Sequence, residues 1–306
     1  MADNGGTRRR TGRRWVLWIV AGIAAAGAVV AVLGIWHLPA RMYPHAGDAE
    51  ARAALQGGLL TAAAALMAVA GGLIALDETR QANANTHVRE LYATAISQLG
   101  ADSLDIRLGG IYALERIAHD STADQRTVVE VLSAFVREHT GTGDPPPPRP
   151  TTDVQAALTV LGRLPHRRGI PRADLTGAHL VGANLIGANL TSAQLGGVNL
   201  ARADLISANL SGARLTMANL TGALLHGANL TGAGLFAVNL TDARLPMADL
   251  TRAELVAANL TGAWELTAQQ VAETRGDART RLPDGVERPA SWPPYDPVPG
   301  PSAGGS

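Results

Sequence analysis

Leucine recurs at every fifth position over a long stretch in the second half of this sequence. The register begins at Leu175 and reaches Leu260 through eighteen leucines without a miss. Alanine stands two residues before the leucine in sixteen of these units, and the residue between them is usually Asn or Asp. An α-helix returns to one face about every 3.6 residues and a strand about every 2, so neither element keeps this repeat on one side. The predicted inward leucines are Leu175, Leu180, Leu185, Leu190, Leu195, Leu200, Leu205, Leu210, Leu215, Leu220, Leu225, Leu230, Leu235, Leu240, Leu245, Leu250, Leu255 and Leu260.

A strict short repeat predicts a solenoid, in which units stack and only the stack encloses a core. A coil with four flat sides fits the period, because each pentad can form one side with its leucine and alanine inward. Glycine at the fifth position then suits a corner. The pattern over residues 171–263 resembles the pentapeptide-repeat family. The resemblance implies a right-handed quadrilateral β-helix with four pentads per coil, which gives about 4.5 coils and a length of about 22 Å.

Two long apolar segments precede the repeats. Residues 15–36 and 55–76 are each 22 residues long. As helices they would measure about 33 Å, enough to cross about 30 Å of bilayer hydrocarbon. We predict two transmembrane helices joined by a short external loop at 37–54. The alternative for the first segment is a cleaved signal peptide, but its apolar run is longer than usual and no small-residue cleavage site follows.

The arginines beside these segments predict their orientation. The basic tail at residues 1–14 carries five arginines, so the N terminus is expected in the cytoplasm of a protein of the cell membrane. Two spans return the chain to the same side, which places the C terminus there as well. Glycines in both segments allow close helix packing, so a homo-oligomer is a further expectation.

The remaining segments are arranged around a proline-rich linker at 141–152. Residues 77–140 carry two apolar stripes at helical spacing, which predict a helical juxtamembrane module. This segment is similar to one that accompanies pentapeptide repeats in bacterial membrane proteins, especially actinobacterial ones. Residues 153–170 predict a short helix that caps the first coil, and residues 264–292 predict a C-terminal cap. Residues 293–306 predict a disordered tail.

The composition removes most routes to catalysis. The chain has no cysteine and no lysine among its 306 residues. It therefore lacks thiol nucleophiles, cysteine metal sites, Schiff-base chemistry and the phosphate-binding lysine of a P-loop. The histidines are scattered without a metal-binding spacing. We predict no catalytic residue, no metal and no cofactor, and a protein that is not an enzyme.

The function predicted for the repeats is protein binding. Apolar side chains at outward positions, Met217, Leu224, Phe236 and Met247, predict an interaction surface of a cytoplasmic scaffold with an unidentified protein partner. The alternative, implied by the family resemblance, is a DNA mimic that protects or inhibits gyrase, a type II topoisomerase. A DNA mimic needs dense negative charge, but the repeats carry five acidic and five arginine side chains. The same balance argues against a nucleic-acid partner, which would need a basic stripe.

Overall fold

A computed structural model describes residues 5–42, 48–140, 148–167 and 169–292. The chain divides into two compact units, Met1–Glu90 and Leu91–Ser306. The predictions made for the start of the basic tail, for the linker at 141–147 and for the tail at 293–306 lie outside the described residues. The described helices are α1 (Gly5–Met42), α2 (Ala49–Leu99), α3 (Leu104–Asp120), α4 (Thr122–Thr140), α5 (Thr152–Arg163) and α6 (Ala268–Ala272).

Small residues line the contact between α1 and α2 in the first unit. A Cβ atom added to Gly27 of α1 would lie only 3.1 Å from Cδ1 of Leu66 of α2, so the missing side chain permits this approach. A Cβ atom on Gly34 would lie 3.5 Å from Cδ1 of Leu59. Alanines on both helices are buried nearby: Ala21, Ala24, Ala28, Ala63 and Ala70.

One described segment, Ala49–Thr79 of α2, is long and apolar enough to cross a membrane, and its most apolar 18-residue window has a mean hydropathy of 2.3. The apolar stretch Ile19–Ile35 of α1 is shorter, so the first of the two predicted spans stays a prediction. Both helices run beyond the predicted spans, and much of the loop expected at 37–54 is helical. The apolar run sets only the length that fits a bilayer, whereas the flanking residues can continue the helix, as the alanine-rich residues 49–54 do before the second run.

Helices α3, α4 and α5 of the second unit contact one another in pairs. The stripes predicted in residues 77–140 face inward, because Ile111 and Leu114 of α3 and Leu132 of α4 are fully buried. The end of α2 packs closely on α3, where a Cβ atom on Gly110 would lie 2.7 Å from the carbonyl oxygen of Ala95. These helices form the helical module.

The repeats form a coil with twenty residues per turn. Parallel β-bridges join residues twenty positions apart, from Asp174 with Gln194 to Arg244 with Trp264. Every leucine of the register is at most 2% exposed. The bridges are isolated, so in this stretch the expected β-helix is held by single-residue pairs and by turns instead of extended strands.

Four pentads complete one coil, so residues on the same side are twenty positions apart. We name each side by its first leucine: the Leu175, Leu180, Leu185 and Leu190 sides, in chain order. The Leu175 and Leu185 sides are therefore opposite each other, as are the Leu180 and Leu190 sides.

The residue two positions after each leucine turns the corner. These residues have positive φ angles between 53° and 70°. Nine of the eighteen corners are glycine, as the pattern predicts, and the other nine are Ser, Arg, Met, Ala or Asp. A side chain disfavours this left-handed conformation, so the non-glycine corners are strained and are held by the bonds between coils.

Gly232 and Ala237 provide a matched test of this strain. Gly232 has a φ of 64° and no neighbouring atom within 4 Å of an added Cβ, so Gly232→Ala changes the backbone preference alone. We expect this substitution to lower the free energy of unfolding by about 1 kcal/mol in urea denaturation. Ala237→Gly, at a φ of 53°, should raise it by a smaller amount, because glycine also gains freedom in the unfolded chain. Shifts of the same sign in both variants would contradict strained corners.

The first coil has no preceding coil to accept its amide hydrogens. In inner coils, the N–H of each bridge residue donates to the carbonyl twenty-one positions earlier, as Gln194 does to Ala173 at 3.0 Å. Four bridge residues of the first coil lack such a carbonyl. An unpaired buried N–H costs about 1–3 kcal/mol, so four of them would be a large penalty for a solenoid end.

Helices α4 and α5 supply an acceptor to each of these four amides. The sequence predicted that a helix within 153–170 alone would cap the coil, but α5 reaches two sides and α4 reaches the other two. An ion pair at 3.2 Å between Arg137 of α4 and Asp174 supports the junction, and one at 2.7 Å between Arg107 and Asp153 joins α3 to α5 within the helical module. The acceptors with their donors and N···O distances are Ser133 Oγ with Asp174 (3.2 Å), Thr140 Oγ1 with His179 (3.3 Å), Gln155 Oε1 with Asn184 (3.0 Å) and the Gly162 carbonyl with Asn189 (2.9 Å).

The last coil is closed by α6 and by the chain that follows it. A capping box of Thr267 and Gln270 begins α6, and Gln270 Nε2 donates to the carbonyl of Leu245 at 3.0 Å. Beyond α6, Arg275 and Arg281 form the final bridges.

Asp277 ties this C-terminal cap together. Burial favours a raised pKa for its carboxyl group, but hydrogen bonds from the Ala257 N–H and from the side chains of Arg279 and Thr280 lower the pKa to about 2. The carboxylate is therefore charged at neutral pH and joins Ala257 of the last coil to Arg279 and Thr280 of the cap.

Candidate interaction surface

The Leu190 side of the solenoid presents a ladder of polar side chains that bond among themselves. Its bridge positions are Asn189, Asn209, Asn229 and Asp249. The side-chain oxygen of Asn189 accepts the N–H of Thr191 at 3.3 Å and its hydroxyl at 2.7 Å. The Asp249 carboxylate accepts the N–H of Thr251 and the hydroxyl of Thr231, both at 2.9 Å. Hydrogen bonds from Thr251 and Thr231 lower the pKa of this carboxyl group. These groups are already paired and offer little to a partner.

The Leu185 side is different because several of its outward residues are apolar. Two outward positions per coil are available there, the residue before and the residue after the leucine. The first column reads Asn184, Asp204, Leu224, Arg244 and Trp264, and the second reads Ile186, Ile206, His226 and Pro246. Trp264 is 63% exposed and Ile186 is 54% exposed. Large apolar side chains in this state are typical of binding surfaces.

A shallow groove of about 520 Å³ runs along this side. Ile206, Leu224, Pro246 and Trp264 supply its apolar lining, and His226, Arg244 and Glu265 supply its polar lining. A second groove of about 430 Å³ lies where the helical module meets the first coil. It is bounded by Leu108 and Tyr112 of α3, Gln155 of α5 and Asn184 of the Leu185 side, and Tyr112 is 48% exposed.

The structure divides the four residues of the predicted interaction surface between opposite sides. Met217 and Phe236 lie in adjacent coils at the Leu175 side, where the Met217 N–H donates to the Phe236 carbonyl at 2.9 Å. Leu224 lies half-buried in the groove of the Leu185 side. Met247 lies at a corner of the Leu185 side and is 80% exposed. They therefore form no single patch.

Four outward residues of the Leu185 side were not predicted from the sequence: Ile186, Ile206, Pro246 and Trp264. The signal was present, because residues read twenty positions apart fall in one column. A search for exposed apolar residues one at a time does not use that spacing.

No side of the solenoid carries carboxylates without an arginine. Asp204 shares the Leu185 side with Arg244, and Asp174 and Glu254 share the Leu175 side with Arg214. Within the part of the chain that the structure describes, neither Asp204 nor Arg244 forms an ion pair.

The described residues contain no group of three His, Asp or Glu side chains able to hold a metal ion. A cavity of about 10 Å³ lies between the helical module and the first coil, room for about one water molecule. Burial lowers the pKa of Arg172 there, and its Nε and Nη2 atoms and the Gln125 Oε1 atom have no protein partner. A bridging water fits this set of groups better than a substrate does.

The family model "Pentapeptide repeats" matches eight copies, in residues 172–205, 203–242 and 233–264. No curated protein sequence matches the chain.

Similar solved structures include HetL, a pentapeptide repeat protein involved in heterocyst differentiation regulation from the cyanobacterium Nostoc. Its identity is 36%, over 36% of this chain and 51% of HetL, with a TM-score of 0.31, so the chain spans about half of that protein. Rfr23, a pentapeptide repeat protein from the cyanobacterium Cyanothece, has 30% identity over 36% of this chain and 90% of its own, with a TM-score of 0.28. QnrB1, a plasmid-mediated fluoroquinolone resistance protein, has 20% identity over 40% of this chain and 75% of its own, with a TM-score of 0.24. The repeat match and the identity with Rfr23 along nearly its whole length show that the chain belongs to the pentapeptide-repeat family.

Proposed function

We propose that this protein is a non-enzymatic, membrane-anchored scaffold whose solenoid binds another protein through the Leu185 side. The apolar lining of the groove on that side is the observation that carries the proposal. Ile206, Leu224 and Trp264 line it together, whereas the Leu190 side is filled by self-paired polar groups. Fully burying a large apolar side chain contributes about 1.5–3 kcal/mol, so a few such residues supply enough free energy for association.

Membrane anchoring is supported by Ala49–Thr79, whose most apolar 18-residue window is only 11% buried within the protein. A soluble helix with such composition would expose a large apolar surface to water. The stretch Ile19–Ile35 is the proposed core of a second span. With two spans, both termini lie in the cytoplasm of a cell whose plasma membrane holds the protein.

The competing DNA-mimic role finds no support in the charges. A protein surface that replaces DNA must carry negative charge along its length. Each side of the solenoid that bears a carboxylate also bears an arginine at its bridge or corner positions. A protein-binding scaffold needs no such charge.

Trp264 and Phe236 allow the binding surface to be tested with a matched control. Both are exposed aromatic residues, but they lie on opposite sides of the solenoid. In proximity labelling with the full-length chain in its native cell, we expect Trp264→Ser to remove most labelling of specific partners and Phe236→Ser to leave it unchanged. Equal labelling by both variants would contradict binding at the Leu185 side.

The proposed topology is tested with reporters in the full-length chain. A reporter fused after Ser306 should be active only if it functions in the cytoplasm, and one inserted near Gly47 should report the outer face. An external signal from the C-terminal fusion would overturn the two-span arrangement, and it would favour a cleaved signal peptide at the N terminus.

A further inference from the structure

The outward residues of the Leu185 side are arranged symmetrically about its middle coil. Leu224 is the third of five residues in the first column, with Asp204 one coil before it and Arg244 one coil after it. In the second column, Ile206 and Pro246 flank His226 in the same way. We infer that the occupant of this surface is a second copy of the chain, docked antiparallel with Leu185 side against Leu185 side. The inference rests on the proposed function and names the partner.

An antiparallel contact sets each column against itself in reverse order. With the twofold axis at the coil of Leu224, Asp204 lies opposite Arg244 of the second copy, and the same pair forms a second time. Leu224 meets Leu224 of the second copy at the centre. The apolar residues Ile206 and Pro246 meet across the other column.

These charges are not paired in this way within one chain. The backbones of Asp204 and Arg244 are two coils apart, about 10 Å at the usual spacing of bridged strands, and neither side chain forms an ion pair in the part of the chain that the structure describes. A parallel contact, with the axis along the solenoid, would set Asp204 opposite Ile206 and Arg244 opposite Pro246. Only the antiparallel contact therefore pairs both charges and also keeps apolar residues together.

The two ends of the surface also complement each other. In the antiparallel contact, exposed Trp264 lies opposite Asn184 of the second copy. Asn184 borders the second groove, which Tyr112 and Leu108 line with apolar surface. This groove can receive an indole ring, and the symmetry repeats that contact at the other end.

The size of the surface predicts a reversible dimer. The column from Asn184 to Trp264 covers four coil steps, about 19 Å. One narrow side of that length is smaller than the roughly 800 Å² that each partner contributes to a standard interface. Two copies anchored in one membrane would gain effective concentration, which compensates for a small contact.

The absence of cysteine makes site-specific cross-linking direct. His226→Cys places a single thiol at the twofold axis, and Arg214→Cys places a thiol at another exposed position, in the same coil on the opposite side. The purified full-length chain in mild detergent is treated with a bismaleimide that spans about 10 Å, the separation of packed sheets. We expect a covalent dimer from His226→Cys and about tenfold less from Arg214→Cys. Equal yields would overturn the proposal.

Charge reversal then tests the antiparallel register. Arg244→Asp in the His226→Cys background creates two like-charge pairs at once, so the dimer yield should fall about tenfold. Asp204→Arg should do the same, and the double reversal should restore the yield. Because Asp204 also accepts the Ile206 N–H at 3.2 Å, the melting temperature of each variant is measured, and Arg244→Asp gives the independent result.

Three results separate this inference from the proposed function. An unchanged yield after Arg244→Asp, or no rescue by the double reversal, would overturn the antiparallel dimer. If His226→Cys gives no dimer but Trp264→Ser still removes labelling of other proteins, the scaffold stands and its partner is a different protein. If neither effect is seen, both proposals are wrong.

Discussion

The backbone hydrogen bonds between successive coils are the constraint on which this structure depends. Each side has single-residue bridges, and the bonds recur every twenty residues, so a coil is stable only when coils lie on both sides of it. Outward side chains take little part in this framework. The chain can therefore place polar, charged or apolar residues on each side without changing the fold, which makes the solenoid suitable for carrying a binding surface.

The same constraint explains the role of the helical module. A solenoid end with unpaired backbone N–H groups is unfavourable. Three side-chain oxygens and one backbone carbonyl oxygen from α4 and α5 accept these N–H groups in place of a preceding coil. Gly162 illustrates how closely the parts fit, since a Cβ atom there would lie 2.9 Å from Cβ of Ala188 in the first coil. Helices α4 and α5 consequently stabilise the solenoid, and they belong to the same compact unit as the repeats.

Sequence patterns predicted those features that depend on periodic burial. The leucine register gave the four-sided coil, and the stripes through Ile111 and Leu132 gave the buried faces of α3 and α4. The capping contacts were not predictable, because Ser133 and Thr140 lie singly within α4 and nothing in their spacing marks them as acceptors. The continuity of α2 was also missed, since a change of hydropathy marks a membrane boundary but does not end a helix. For the binding surface, exposure of Met217 was a weaker guide than the column that contains Trp264.

Hydrogen exchange at single amides of the full-length chain measures whether the helical module acts as the coil before the first coil. We expect four amides, those of Asp174, His179, Asn184 and Asn189, to exchange as slowly as the amides of inner bridge residues such as Asn219, whose N–H donates to a coil carbonyl at 2.9 Å. Exchange of these four amides at the rate of freely exposed backbone, with Asn219 still protected, would contradict this role of the helical module.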